Sequence, residues 1–195
     1  MNVTKMNQAL WPYLLLFLAL VVLRAIDLYI TYKITPDLSF EWNPLVTQMQ
    51  LSWTGLLVTQ LILVLLALLA YQRYAGRVRN PVDVPGLGLR RFVFYYFNGF
   101  DASWANWSKA VFRLPNRHYL KANGAFIGFV IICSYIAVSI FAIVHNLFIL
   151  DGTSSYLDFV AENSHVYFLS VFVTIVLVSA NLFFITEYKI YKFGD

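Results

Sequence analysis

Charge is what this chain has least of. Asp, Glu, Lys and Arg supply 12% of its 195 residues, roughly half the share found in a soluble domain. Hydrophobic residues supply 60%, more than a soluble core of this length can use. Cysteine is nearly missing as well. Cys133 stands alone in an apolar run, so one chain forms neither a disulfide framework nor a cysteine-based zinc site. An HExxH ligand pair and a GxSxG nucleophile elbow are both absent. Their absence removes two common signatures of hydrolytic chemistry. No repeat or low-complexity tract is present.

What the chain does have is apolar length. Four segments, 10–33, 52–72, 123–149 and 165–188, reach the roughly 20 residues that carry a helix across a hydrocarbon core. Trp11, Tyr13, Trp53, Tyr71, Tyr74, Tyr119, Tyr188 and Tyr191 mark their ends, as interfacial aromatics do. The first segment is too long for a signal-peptide core, lacks a small-x-small cleavage site and carries Asp27, which predicts a retained helix. The expected fold is all-α and integral to the membrane: one domain over 1–195, a four-transmembrane-helix bundle.

Nine of the fourteen Lys and Arg residues fall in 71–121, and none in 34–51 or 150–164. The positive-inside rule then predicts that 71–121 and both termini are cytoplasmic and that 34–51 and 150–164 are outer loops. This placement also accounts for the net charge of +4 without a nucleic-acid partner. Within the segment, Asn80-Pro81 through Gly88 reads as irregular chain. Beyond it, Asp101 can cap a short helix ending near Pro115. Trp104, Trp107, Val111 and Leu114 recur there at helical spacing beside Lys109 and Arg113. That pattern predicts an interfacial amphipathic helix or a docking surface for a cytoplasmic partner.

The polar residues inside the spans are few, and each is therefore a site candidate. Asp27 lies about 10 Å below the outer end of the first span at helical rise, with Arg24 three residues before it and Thr31 four residues after. Gln60 is at a similar depth in the second span. His145 is near the outer end of the third, and His165 opens the fourth. Glu41, Asn43 and Pro44 follow where the first span exits. Asn43-Pro44 also reads as a helix start. A plain reading pairs Asp27 with Arg24 on one helical face. Glu187, at the inner end of the fourth span, pairs with Lys189 or a basic loop residue. Asn146 and Asn181 read as interhelical hydrogen-bonding groups.

A sharper reading assembles these groups. Asp27, Glu41, His145 and His165 are of the types that ligate a divalent metal such as Zn. Without metal, the candidate catalytic residues are Asp27 and Glu41, either of which beside a histidine could form a general acid-base pair, with Arg24, Thr31, Asn43 and Gln60 as binding residues. Haem between His145 and His165 fits by ligand type but not by depth.

The stretch Asp27-Leu-Tyr-Ile-Thr31, followed after about ten residues by Glu41-Trp-Asn43-Pro44 and a second apolar span, resembles a family of small uncharacterised prokaryotic integral membrane proteins. Their pattern is D-x-x-x-T followed by E-x-N-P between two hydrophobic helices. The resemblance covers about 23–70, and Gln60 stands where that family often has a basic residue. It implies a prokaryotic plasma (inner) membrane and singles out Asp27, Thr31, Glu41, Asn43 and Pro44. It implies no reaction. Three functions fit the sequence: a membrane enzyme, metal-dependent or not, acting on a lipid or small polar substrate; a non-catalytic subunit of a larger membrane complex; and an oligomeric small transporter or channel. Besides the lipid bilayer, the expected partners are other membrane subunits or further copies of the chain.

Overall fold

A computed structural model describes residues 3–38, 46, 49–77, 82–99 and 117–193, with side chains from residue 11 onward, except those of residues 117–119 and 165. The principal elements are helices: α1 (Val3–Ile34), α2 (Trp53–Ala75), α3 (Leu89–Asn98), α4 (Arg117–Asp151) and α5 (Ser154–Phe193). No strand occurs among the described residues. Four of the helices are long and apolar enough to cross a membrane, over Trp11–Ile34, Trp53–Ala75, Leu120–Asp151 and Val166–Phe193. These match the four predicted spans to within a few residues at each end.

Local chemistry explains the helix ends. Pro36 disfavours a helical Thr35, and α1 closes with the Thr35 amide on the Thr31 carbonyl at 2.8 Å. At the start of α2, the Ser52 hydroxyl accepts the Gly55 amide at 3.4 Å, the bond of an N-capping serine. Trp53 donates its indole N–H to the Pro36 carbonyl at 2.7 Å and meets Tyr32 edge-on at 5.6 Å between ring centres. Helix α3 ends at Gly99, whose φ of 73° is a left-handed conformation that glycine adopts without strain. Gly152, with φ 70°, turns α4 into α5.

Two compact units emerge, one of residues 1–68 and 134–175, the other of residues 69–133 and 176–195. In the first, Leu38, Val46 and Leu56 form a small core against Leu28 and Trp53. In the second, Val82, Leu87, Phe92, Tyr96, Ala122 and Phe183 are buried together, ringed by further aromatics. Gly128 makes this second core possible. A Cβ at that position would lie 2.2 Å from the Ala70 carbonyl oxygen, so α2 and α4 touch backbone to backbone, as small residues permit between membrane helices.

Two stretches depart from the sequence reading. The predicted outer loop 150–164 is helical from Ser154 onward. It contains no Gly or Pro after Gly152, and Val160 is buried, so packing extends the helix past its apolar part. The second departure is α3. Its Phe92 and Tyr96 are one turn apart and buried, while Arg90 and Arg91 are exposed. The preceding 82–88 is irregular as expected, yet it is held down. Leu87 donates its amide to the Tyr191 hydroxyl at 2.8 Å and accepts from Tyr188 at 3.2 Å. The amphipathic helix expected over 101–115 lies outside the described residues.

Candidate functional site

Asp27 is the natural starting point, because an uncompensated carboxylate in a bilayer is costly. Here it is compensated. Arg24, Asp27 and Thr31 project from one face of α1 at intervals of three and four residues. Arg24 Nη1 donates to Asp27 Oδ2 at 3.1 Å, and both side chains are 12% exposed. Arg24 Nε donates to the Tyr135 hydroxyl at 2.9 Å, and its guanidinium carbon lies 4.5 Å from the centre of that ring. From α4, Asn146 Nδ2 donates to Asp27 Oδ1 at 3.1 Å and to Thr31 Oγ1 at 3.2 Å. Tyr135 and Asn146 are 11 residues apart, about three helical turns, and so share a face of α4. Both carboxylate oxygens of Asp27 are thus engaged and the charges cancel. The plain expectation of an Arg24–Asp27 pair is what the structure contains, extended across to α4.

The histidine lies in a different setting. His145 is buried and stacks on Phe141 at 6.0 Å between ring centres, with Phe168 edge-on at 5.0 Å. Its Nδ1 is hydrogen-bonded to the Tyr156 hydroxyl near the start of α5. Tyr156 in turn bonds to Tyr167. Burial first, and that bond second, push the Tyr156 phenol above its ordinary range, so it stays protonated at neutral pH. If that single phenolic proton is given to Tyr167, Nδ1 of His145 must carry its own proton and Nε2 presents a bare lone pair. Nε2 is buried and has no hydrogen-bond partner. Gln60, buried on α2, has an orphan of the same kind in its Oε1.

A second buried ion pair closes the other unit. Glu187, 2% exposed, accepts from Arg77 Nε at 2.9 Å. The Arg77 guanidinium lies 4.0 Å above the Tyr74 ring. Of the partners expected for Glu187, the structure selects the basic residue that follows α2. Asn181 departs from expectation. Its amide donates to Leu177 of its own helix at 2.8 Å and is exposed, whereas Asn146 does bridge two helices.

The predicted site therefore divides. Asp27, Arg24 and Thr31 come together with Asn146. His145 is engaged with Tyr156, and no hydrogen bond ties Gln60 Oε1 to any of them. Glu41, Asn43 and Pro44 lie outside the described residues, as does the side chain of His165. Among the described residues, no three His, Cys, Asp or Glu side chains lie close enough to hold a metal ion. No family model, curated protein or solved structure matches the chain. Sequence reasoning missed Tyr135 and Tyr156. Tyr135 sits in the interior of a span, where an aromatic reads as packing, and Tyr156 falls in a stretch read as loop.

Proposed function

We propose that the chain is a multi-pass prokaryotic inner-membrane protein that holds a polar group, from a lipid or a small polar substrate, at Nε2 of His145. One observation carries this reading: a buried ring nitrogen with no partner. Leaving such a group unsatisfied costs about 1–3 kcal/mol, a cost that a ligand, ion or water removes by pairing with it. Tyr156 holds the ring in place through Nδ1, and Phe141 and Phe168 pack against it. The imidazole lone pair serves as an acceptor, a general base or a metal ligand. In the metal version Glu41 and His165 would complete the set. Asp27 is then a positioning residue, whose carboxylate ties α1 to α4. The D-x-x-x-T spacing supports that role, since it sets Asp27 and Thr31 where both meet Asn146. The distribution of Lys and Arg supports a cytoplasmic 71–121 segment with the start of α1 and the end of α5 on the same side. The His145 end of α4 then faces outward.

The test is to purify the full chain in mild detergent and compare it with His145→Gln and Tyr156→Phe. Native mass spectrometry reads retained lipid or small molecule, and elemental analysis reads zinc and other transition metals. A retained component in the parent that His145→Gln loses supports the reading. Identical contents in parent and variant overturn it.

A second reading, a non-catalytic subunit of a membrane complex, is favoured by the internal pairing of the two buried carboxylates among the described residues, Asp27 with Arg24 and Glu187 with Arg77. Under that reading neither carboxylate is left over for chemistry. Copurification of a stoichiometric partner from native membranes, with nothing retained at His145, would favour it over the first.

A further inference from the structure

The helix α5 is uninterrupted from Ser154 to Phe193, and it is the least covered of the four apolar helices. Only 11% of its apolar window is buried inside the chain, against 22% in each of the others. Its exposed surface is not uniformly apolar. Asn163, Ser170, Thr174 and Asn181 are all exposed, at spacings of seven, four and seven residues, so they fall on one narrow stripe of the helix. Ser170, Thr174, Leu177 and Asn181 follow the alternating four-and-three step of a heptad seam. Leu177 is 57% exposed, and Val173 and Val178 flank the stripe at 45% and 51%.

A polar seam facing hydrocarbon is a mismatch. In the isolated chain these groups turn back on their own helix. Ser170 donates to the Val166 carbonyl at 2.6 Å, Asn163 to Phe159 at 3.0 Å and Asn181 to Leu177 at 2.8 Å. Each amide keeps a second N–H and a side-chain carbonyl oxygen. Such residues associate membrane helices by hydrogen-bonding across the interface.

We infer that this stripe pairs α5 with α5 of a second copy of the chain. Self-complementarity selects that occupant. Ser, Thr and Asn side chains each carry both donor and acceptor, and none of the stripe residues bears a charge that would demand an opposite one. Copies inserted with one topology are related by a two-fold axis along the membrane normal, which makes the two helices parallel and brings equal depths together. Asn181 then meets Asn181, and Thr174 meets Thr174, as a buried Asn does in a parallel two-stranded seam. The inference rests on α5 alone and is independent of any ligand at His145.

The experiment uses the full-length chain with Cys133→Ala, in membranes, oxidised with copper phenanthroline. Leu177→Cys and Thr174→Cys lie on the seam, whereas Leu182→Cys, on another exposed face of α5, is the control. The expected result is a covalent homodimer at the two seam positions and little at Leu182→Cys. Adding Asn181→Leu to the Leu177→Cys chain should lower dimer formation about tenfold, equivalent to losing two interhelical hydrogen bonds. Equal cross-linking at Leu177→Cys and Leu182→Cys would mean random collision and overturn the pairing. So would a monomer at every position, or a disulfide to a different protein in place of the second copy. A dimer yield unmoved by Asn181→Leu would remove the polar seam as its cause.

Discussion

Removing one half of the Arg24–Asp27 pair should be far more damaging than removing both. At 3.1 Å two unit charges attract by about 5 kcal/mol at an effective dielectric of 20. Much of that is offset by the cost of withdrawing both from water, so replacing the whole pair by apolar groups is nearly neutral. Removing one partner strands the other, at a cost of about 3–5 kcal/mol. The low end applies here, because Arg24 keeps Tyr135 and Asp27 keeps Asn146. Arg24→Met and Asp27→Leu should each cost about 3 kcal/mol. The double variant should cost less than either single one, so it should fall below the sum of the two by more than about 3 kcal/mol. The cycle is measurable by reversible unfolding in mixed micelles of increasing SDS content, read by tryptophan fluorescence. Additivity within about 0.5 kcal/mol would refute the reasoning, since it would mean that the two side chains do not meet.

Gly128→Ala should destabilise by about 1–3 kcal/mol, because the new Cβ lies 2.2 Å from a backbone oxygen; an unchanged melting temperature would separate α2 from α4 at that point. Trp53→Phe should cost about 1 kcal/mol by losing the bond to Pro36, read in the same unfolding assay. Tyr96 lies outside the spans, and burial, followed by the nearby Glu187 carboxylate, raises its phenol above the usual 10.0. The folded chain therefore holds this proton more tightly than the unfolded one. The associated stability is complete below pH 10 and falls as pH rises beyond it. Tyr96→Phe should flatten that alkaline loss, and an unchanged pH profile in the variant would count against it.

The membrane architecture was legible because apolar length is a one-dimensional property. The spans near 10–33 and 123–149 needed only a count of residues. The Arg24–Asp27 pair was legible for a similar reason, being a three-residue spacing on one helix. What followed from packing was not. Nothing near Asn146 in the sequence indicates that it meets Asp27 and Thr31, 119 and 115 residues away. Tyr156 looked like loop because the apolar run pauses there, yet helix and histidine partner both depend on it. In α3 the sequence does carry a signal, since Phe92 and Tyr96 recur at helical spacing beside exposed Arg90 and Arg91. Pro85-Gly86-Leu87-Gly88 is irregular, as its composition indicates, while burial of Leu87 against Tyr188 and Tyr191 depends on contacts from the far end of α5. Asn181 shows the converse limit. Its place in a span suggested a bond to a neighbouring helix, and only the structure shows it turned outward.

The state of His145 Nε2 can be read directly by nitrogen-15 NMR of histidine-labelled protein in nanodiscs, with His145→Gln identifying the resonance. The expected result is one locked tautomer, with the proton on Nδ1 and an Nε2 signal that moves when bound lipid or metal is stripped and returns when it is restored. A ring that exchanges between tautomers, with an Nε2 signal indifferent to stripping, would contradict a ligand at this histidine.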